Sequence, residues 1–150
     1  MLRVTKLTDY ASVVLTVLAS APETVLSASG LAERAGLEPP TVAKVLKPLA
    51  QAGLVQAFRG VSGGYRLARP ASEISLVEIV EAMEGPLAMT ECSVHDGNCG
   101  IEQSCSARAN WRRINDVVAD ALRRVSLADM VLPAPASDAR KTIPVSLSAN

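Results

Sequence analysis

The sequence predicts a mainly α-helical protein with a single β-hairpin. Apolar residues recur at steps of three and four in several segments, which is the pattern of helices that bury one face. Residues 54–68 instead place strand-forming residues on both sides of a glycine-rich turn. The 150 residues are 49% hydrophobic, enough for one ordinary core or two small ones. No apolar run approaches the roughly 20 residues of a membrane span, so we expect no membrane partner.

Three helices are predicted in the first half of the chain, and a short turn joins the second to the third. Ser29 suits the start of the second helix because its hydroxyl can accept a hydrogen bond from an amide of the first turn. Glycines suit the ends of the second and third helices. The predicted boundaries are Thr8 to Pro22, Ser29 to Gly36, and Glu38 to Gly53.

The predicted hairpin follows directly and completes a winged helix-turn-helix. Its strands are 54–58 and 65–68, and the turn between them is 59–64. A hairpin in this position can simply cap the helical core. The functional interpretation is a wing whose Arg59 and Arg66 lie along DNA.

Two further helices are predicted after the wing. One runs from Ser75 to Gly85 and turns its glutamates, Glu78, Glu81 and Glu84, towards solvent. The other begins after Ser106 and carries a long apolar stripe. A second copy of the same helix is the simplest partner for this stripe, and folding back onto its own domain is the alternative. The predicted division is a DNA-binding domain (1–84), a cysteine-rich loop (85–106), a dimerisation helix (107–132) and a disordered tail (133–150).

Charge is unevenly distributed although the formal net charge is zero. Residues 1–70 hold eight Lys or Arg against four Asp or Glu, whereas residues 71–132 hold five against ten. The N-terminal part is therefore basic, which favours a module that meets phosphate. We expect the third helix to enter the major groove, with Thr41 and Lys44 near base edges and Lys47 at phosphate.

The three cysteines of the chain, Cys92, Cys99 and Cys105, fall in one turn-rich stretch. No apolar leader precedes Arg3, so we expect a cytoplasmic protein, in which clustered cysteines more often bind metal or do redox chemistry than form disulfides. Thiolates are the ligands of iron–sulfur clusters. A zinc site is the alternative, because His95 would complete a set of three cysteines and one histidine. One histidine and no hydrolase or phosphate-loop motif argue against an enzyme.

Several motifs together resemble the IscR-like family of bacterial winged-helix iron–sulfur regulators. They are LTDYA (7–11), LAERAGL (31–37), LAQAGLV (49–55), RGVSGGY (59–65) and the cysteine triplet with six and then five intervening residues. The similarity runs from about Leu2 to Leu132, and among the branches of the family it looks most like the regulator of SUF-type cluster assembly.

The resemblance implies a homodimer that binds an inverted-repeat operator and carries a cluster on the three cysteines, 2Fe-2S in form, with 4Fe-4S as the alternative. Some relatives add a histidine three residues after the last cysteine, where this chain has Arg108, which cannot ligate. Others use an acidic residue of the partner subunit at the place of Asp9. Asp9 is therefore the expected fourth ligand and His95 the other candidate. The first-turn position of Asp9 is also explained by the helix dipole alone.

The predicted function is a transcription factor that senses iron–sulfur status and controls cluster-assembly genes. Three alternatives stay open at this point: a nitric oxide or redox-sensing repressor of the same family, a zinc-stabilised DNA-binding regulator, and a small electron-transfer protein.

Overall fold

The computed structural model describes residues 3–93, 99–100 and 104–131. The elements are α1 (Lys6–Ala19), α2 (Ala28–Ala35), α3 (Pro39–Gln51), β1 (Val55–Phe58), β2 (Gly64–Leu67), α4 (Leu76–Glu84), α5 (Arg108–Arg123) and α6 (Leu127–Val131). Single turns of 3-10 helix lie at Ala71–Glu73 and Glu91–Ser93. The architecture is mainly helical with one hairpin, which confirms the predicted fold class. The predicted tail, 133–150, lies outside the described residues.

Two helix starts differ from the prediction because other hydroxyls serve as caps. Thr5 Oγ1 accepts a hydrogen bond from the Thr8 amide at 3.3 Å, so α1 begins before Thr8. Ser27 Oγ accepts from the Gly30 amide at 3.1 Å, so Ser27 rather than Ser29 caps α2. Gly36 ends α2 as predicted, with a φ of 63° that favours glycine.

Among the described residues, one core joins α1, α2, α3, α4 and α6. Helix α1 packs against α2, α3, α4 and α6, and α3 packs on α2 and α4. The core draws fully buried residues from distant parts of the chain, among them Leu15, Leu18, Leu31, Leu46, Leu49, Ile74, Ile79 and Leu127. Of the two predicted possibilities, one core or two, residues 3–93 and 104–131 form one.

The wing is a two-stranded antiparallel hairpin held to the helical core through Leu26. Val55 pairs with Leu67 and Phe58 with Gly64. Leu26 and Tyr65 exchange two backbone hydrogen bonds, of 2.9 and 2.8 Å. A side chain at Gly64 would collide with the Leu26 carbonyl, so this close approach requires glycine. The core therefore fixes the direction of the wing.

The helix predicted over 107–132 is divided in two by a pairing with a distant segment. The Leu76 amide donates to the Val125 carbonyl and the Leu127 amide to the Ile74 carbonyl, both at 2.8 Å. Ser126 then starts α6, because its amide and hydroxyl donate to Asp129 Oδ2 at 2.8 and 2.7 Å. Leu127 is fully buried in the core. The predicted dimerisation helix thus ends at Arg123, and the next turn docks on its own domain.

We expect Leu127→Ala to lower the free energy of unfolding by about 2–5 kcal/mol, because the truncation leaves a cavity in the core. Urea denaturation at fixed protein concentration measures this. Met130→Ala in the same short helix is the matched control. Because Met130 is exposed, this substitution should lower the free energy of unfolding by less than about 1 kcal/mol. Equal losses for the two variants would contradict the docking of α6.

Candidate functional site

Helix α3 presents a basic face on the side opposite to the core. Prolines occupy its first turn, where a missing amide is tolerated, and the Thr41 amide donates to the Glu38 carbonyl at 2.9 Å. Lys44 and Lys47 are exposed, and Thr41 is half-buried. Residues at spacings of three lie on one face of a helix, so these three side chains share one side of α3.

The wing adds two arginines with different surroundings. Arg59 is exposed at the start of the wing turn. The guanidinium of Arg66 lies over the Phe58 ring, 5.1 Å from its centroid, and is half-buried. The structure therefore places Lys44, Lys47 and Arg59 at the surface, while Arg66 packs along the wing.

The cysteine segment is residues 85–106, and its described first part, 85–93, contacts α5. The Met89 amide donates to Asn115 Oδ1 at 3.1 Å, and the 3-10 turn at Glu91–Ser93 packs against α5. Cys99 and Cys105 are half-buried and carry free thiols. His95 and the side chain of Cys92 lie outside the described residues. The described part of the chain brings no three His, Cys, Asp or Glu together in a group that could hold a metal ion.

A cavity of about 540 Å³ adjoins Cys105 at the start of α5. Three of its lining residues are arginines, whose guanidinium groups are positively charged. The lining is Cys105, Ser106, Arg108, Ala109, Arg112, Arg113 and Asp116. A cysteine sulfur is a soft donor, and Cys105 with three arginines in the same lining suits an anionic iron–sulfur group, so the chemistry of these residues fits such a cluster. Arg108 lines the cavity as a cation and not as a ligand.

Asp9 lies in the first turn of α1 with its side chain exposed. Its amide donates to the Thr5 carbonyl at 3.1 Å as part of the helix. Within one protomer, the described residues do not gather Asp9 with Cys99 and Cys105. Its predicted role as a ligand concerns the other subunit of a dimer, and it stays a prediction.

Glu84 is a residue whose role the sequence did not reveal. Its carboxylate is exposed, as predicted, yet Oε1 accepts hydrogen bonds from the Thr5 amide at 2.8 Å and from Thr8 Oγ1 at 2.5 Å. The partners are up to 79 residues away, so no local pattern could have indicated them. Glu78 also has partners, since it accepts from Ser75 and pairs with Arg69 at 2.6 Å. For Glu78, the spacing Ser-x-x-Glu of a capping box was the available signal.

We expect Glu84 to make stability depend on pH. The hydrogen bond from Thr8, followed by the bond from the Thr5 amide, lowers the pKa of the Glu84 carboxyl below its ordinary value of 4.5. A depressed folded-state pKa stabilises the protein above the unfolded value, and this contribution is lost as the pH falls through the folded-state pKa. At pH 7 the free energy of unfolding of the wild type should exceed that of Glu84→Gln by about 1 kcal/mol or less, because solvent screens the exposed carboxylate. Urea denaturation from pH 7 to 3 measures the gap, and a gap that did not shrink below pH 4.5 would contradict the expectation.

No helix in the described ranges has both the length and the apolar character needed to cross a bilayer.

The chain is similar to known regulators over most of its length. Residues 4–133 match the Rrf2 family, described as an iron-dependent transcriptional regulator. Protein aau3 of Rhizobium meliloti (strain 1021) is 35% identical over 135 residues, covering 89% of this chain and 88% of aau3.

Two solved structures share the fold at 28% identity. CymR (YrzC), the global cysteine regulator of B. subtilis, superimposes with a TM-score of 0.67 and covers 87% of this chain and 97% of CymR. IscR of T. potens superimposes with a TM-score of 0.65 and covers 87% of this chain and 86% of IscR.

Proposed function

This chain belongs to the Rrf2 family of iron-dependent transcriptional regulators, and we propose that it is a cytoplasmic homodimer whose binding to an inverted-repeat operator depends on an iron–sulfur cluster. The genes under its control would be those of SUF-type cluster assembly. The family consists of transcriptional regulators, which confirms the prediction of a regulator rather than an enzyme.

The DNA-binding part of the proposal uses α3 and the wing. Thr41 and Lys44 would face base edges in the major groove, and Lys47 would meet phosphate. Arg59 would reach the minor groove or a phosphate beside it. Arg66 would act along the wing from its position over Phe58. The exposure of both lysines and of Arg59 supports this assignment.

The homodimer part of the proposal depends on α5. Ala119 is the one residue of this helix that is buried within the described protomer. Trp111, Ile114 and Val117 are 39%, 43% and 62% exposed, on the side of α5 away from the polar residues. A second α5 is the proposed cover for this apolar face. The two-fold symmetry of such a dimer explains why the operator would be an inverted repeat.

The cluster part of the proposal is carried by one observation: Cys105, a free and half-buried cysteine, lines a cavity together with three arginines. Cys92, Cys99 and Cys105 would hold the cluster as thiolates, and the arginines would offset its negative charge. When bound, the cluster supplies sensitivity to iron supply and to oxidants. Asp9 of the partner subunit is the proposed fourth ligand, and a 2Fe-2S form is preferred to 4Fe-4S. His95 is the second choice of ligand.

An Asp9 ligand would tie α1 of one protomer to the cysteine segment of the other. Because α1 packs on α3, this link would let the bound state influence the spacing of the two recognition helices. A coupling of about 1–3 kcal/mol is normal for allostery and would change operator affinity roughly 5–150-fold. Regulation requires no larger effect.

Anaerobic purification followed by a visible spectrum, iron and sulfide analysis and operator titration tests the proposal. We expect a coloured protein with matching iron and sulfide, and operator affinities that differ between the loaded and cluster-free forms at one fixed salt concentration. A colourless protein with stoichiometric zinc would contradict the proposed cluster and favour the zinc-stabilised regulator. Titration of the loaded protein with nitric oxide or oxygen shows whether either compound, rather than cluster supply, is the signal.

A further inference from the structure

Glu84 lies at the junction between the DNA-binding core and the cysteine segment. It is the last residue of α4, and Gly85 beside it has a φ of 85° that ends the helix and opens the segment 85–106. The Glu84 carboxylate holds the Thr5 amide and the Thr8 hydroxyl at 2.8 and 2.5 Å. The first turn of α1 is therefore hydrogen-bonded to the residue that precedes the cysteine segment.

The other partner in this pair of hydrogen bonds is α1. Thr8 is 2% exposed, whereas Asp9, one residue later, is exposed. Successive side chains point about 100° apart around a helix, so Thr8 faces Glu84 while Asp9 faces outwards. Helix α1 also packs along α3. A movement of Glu84 would thus act on both Asp9 and the recognition helix through one rigid element.

We infer that Glu84 is a positioning residue that transmits the state of the cysteine segment to α1, and through α1 to α3 of the same protomer. The inference rests on the proposed function, since it needs a segment whose state changes. It differs from the Asp9 link, which runs to the cysteine segment of the other protomer. Each α1 would be held at Thr8 by Glu84, the residue before its own cysteine segment, and at Asp9 by the cysteine segment of its partner.

Three variants separate this role from general stabilisation. Glu84→Ala removes the acceptor, Thr8→Val removes one donor at similar volume, and Glu84→Gln retains a neutral acceptor oxygen. Glu81→Ala is the matched control, because Glu81 Oε1 accepts from the Leu87 amide at 3.3 Å and so contacts the segment without a described hydrogen bond to α1. The readout is the ratio of operator dissociation constants for the cluster-free and loaded forms, with cluster content measured by spectrum and iron analysis.

We expect Glu84→Ala and Thr8→Val to load the cluster normally while their affinity ratio falls to less than about a third of the wild-type ratio of roughly 5–150. Glu84→Gln should restore part of the ratio, and Glu81→Ala should keep it. A fully loaded Glu84→Ala protein with an unchanged ratio would overturn the inference. A wild-type ratio of one would instead count against the proposed function.

Amide hydrogen exchange on the cluster-free proteins provides a measurement that needs no cluster. Glu84→Ala should speed exchange both in the first turn of α1 and in residues 85–93, because each holds the other in place. Faster exchange confined to α1 would show a local cap without transmission and would also overturn the inference.

Discussion

Ile114→Asp should convert the proposed dimer to a monomer and weaken operator binding by at least about 100-fold. The change places a carboxylate in the middle of the apolar face that α5 exposes, where the second protomer would bury it without a partner. A monomer also loses the second half-site, and with it the gain of about 10²–10⁴ that two linked contacts provide. Sedimentation equilibrium and operator titration measure the two effects.

Arg123→Asp is the matched control for this prediction. It introduces the same acidic side chain on the polar side of α5, where Arg123 is exposed and pairs with Asp120 at 2.6 Å. An exposed pair of this kind contributes at most about 1 kcal/mol, so the control should remain dimeric. A dimeric Ile114→Asp protein would show that the apolar face of α5 is not the interface.

The first three helices and the wing were predictable because local signals determine them. The apolar spacing of α3, its opening prolines and the glycine after α2 each act within a few residues. Strand-forming residues around a glycine-rich turn are equally local. The starts of α1 and α2 were misplaced, because several hydroxyls lie near each helix start and the backbone decides which one is used. The end of α1 and the strand boundaries also differ by one to three residues from the prediction.

Features that join distant parts of the chain were not predictable in this way. The break between α5 and α6 depends on residues 125–127 meeting residues 74–76, and the apolar pattern continues across it. The bond from Thr8 to Glu84 spans 76 residues and has no signature in either segment. The sequence does indicate the cysteines as a site, but the spacing alone does not say which residue completes it.

Of the three proposed cysteine ligands, Cys105 is the one whose surroundings the structure describes in most detail. Cys105 is half-buried and lines the cavity at the start of α5, and its carbonyl accepts from the Arg108 amide at 3.4 Å. Cys105 therefore shares a cavity with the arginines that would offset the charge of a cluster. Ser106 lines the same cavity without a thiol and provides a neighbouring control.

Cys105→Ser should abolish the visible spectrum and leave an operator affinity equal to that of the cluster-free wild type. A serine hydroxyl has nearly the shape of the thiol but stays protonated and is a poor ligand for iron, so the fold should survive while the cluster does not. Ser106→Ala should keep both spectrum and regulation. Asp9→Ala should change the spectrum without abolishing it, because three thiolates would remain. A Cys105→Ser protein with wild-type iron, sulfide and colour would remove Cys105 from the ligand set, and an unchanged cluster in Asp9→Ala would remove the link between subunits.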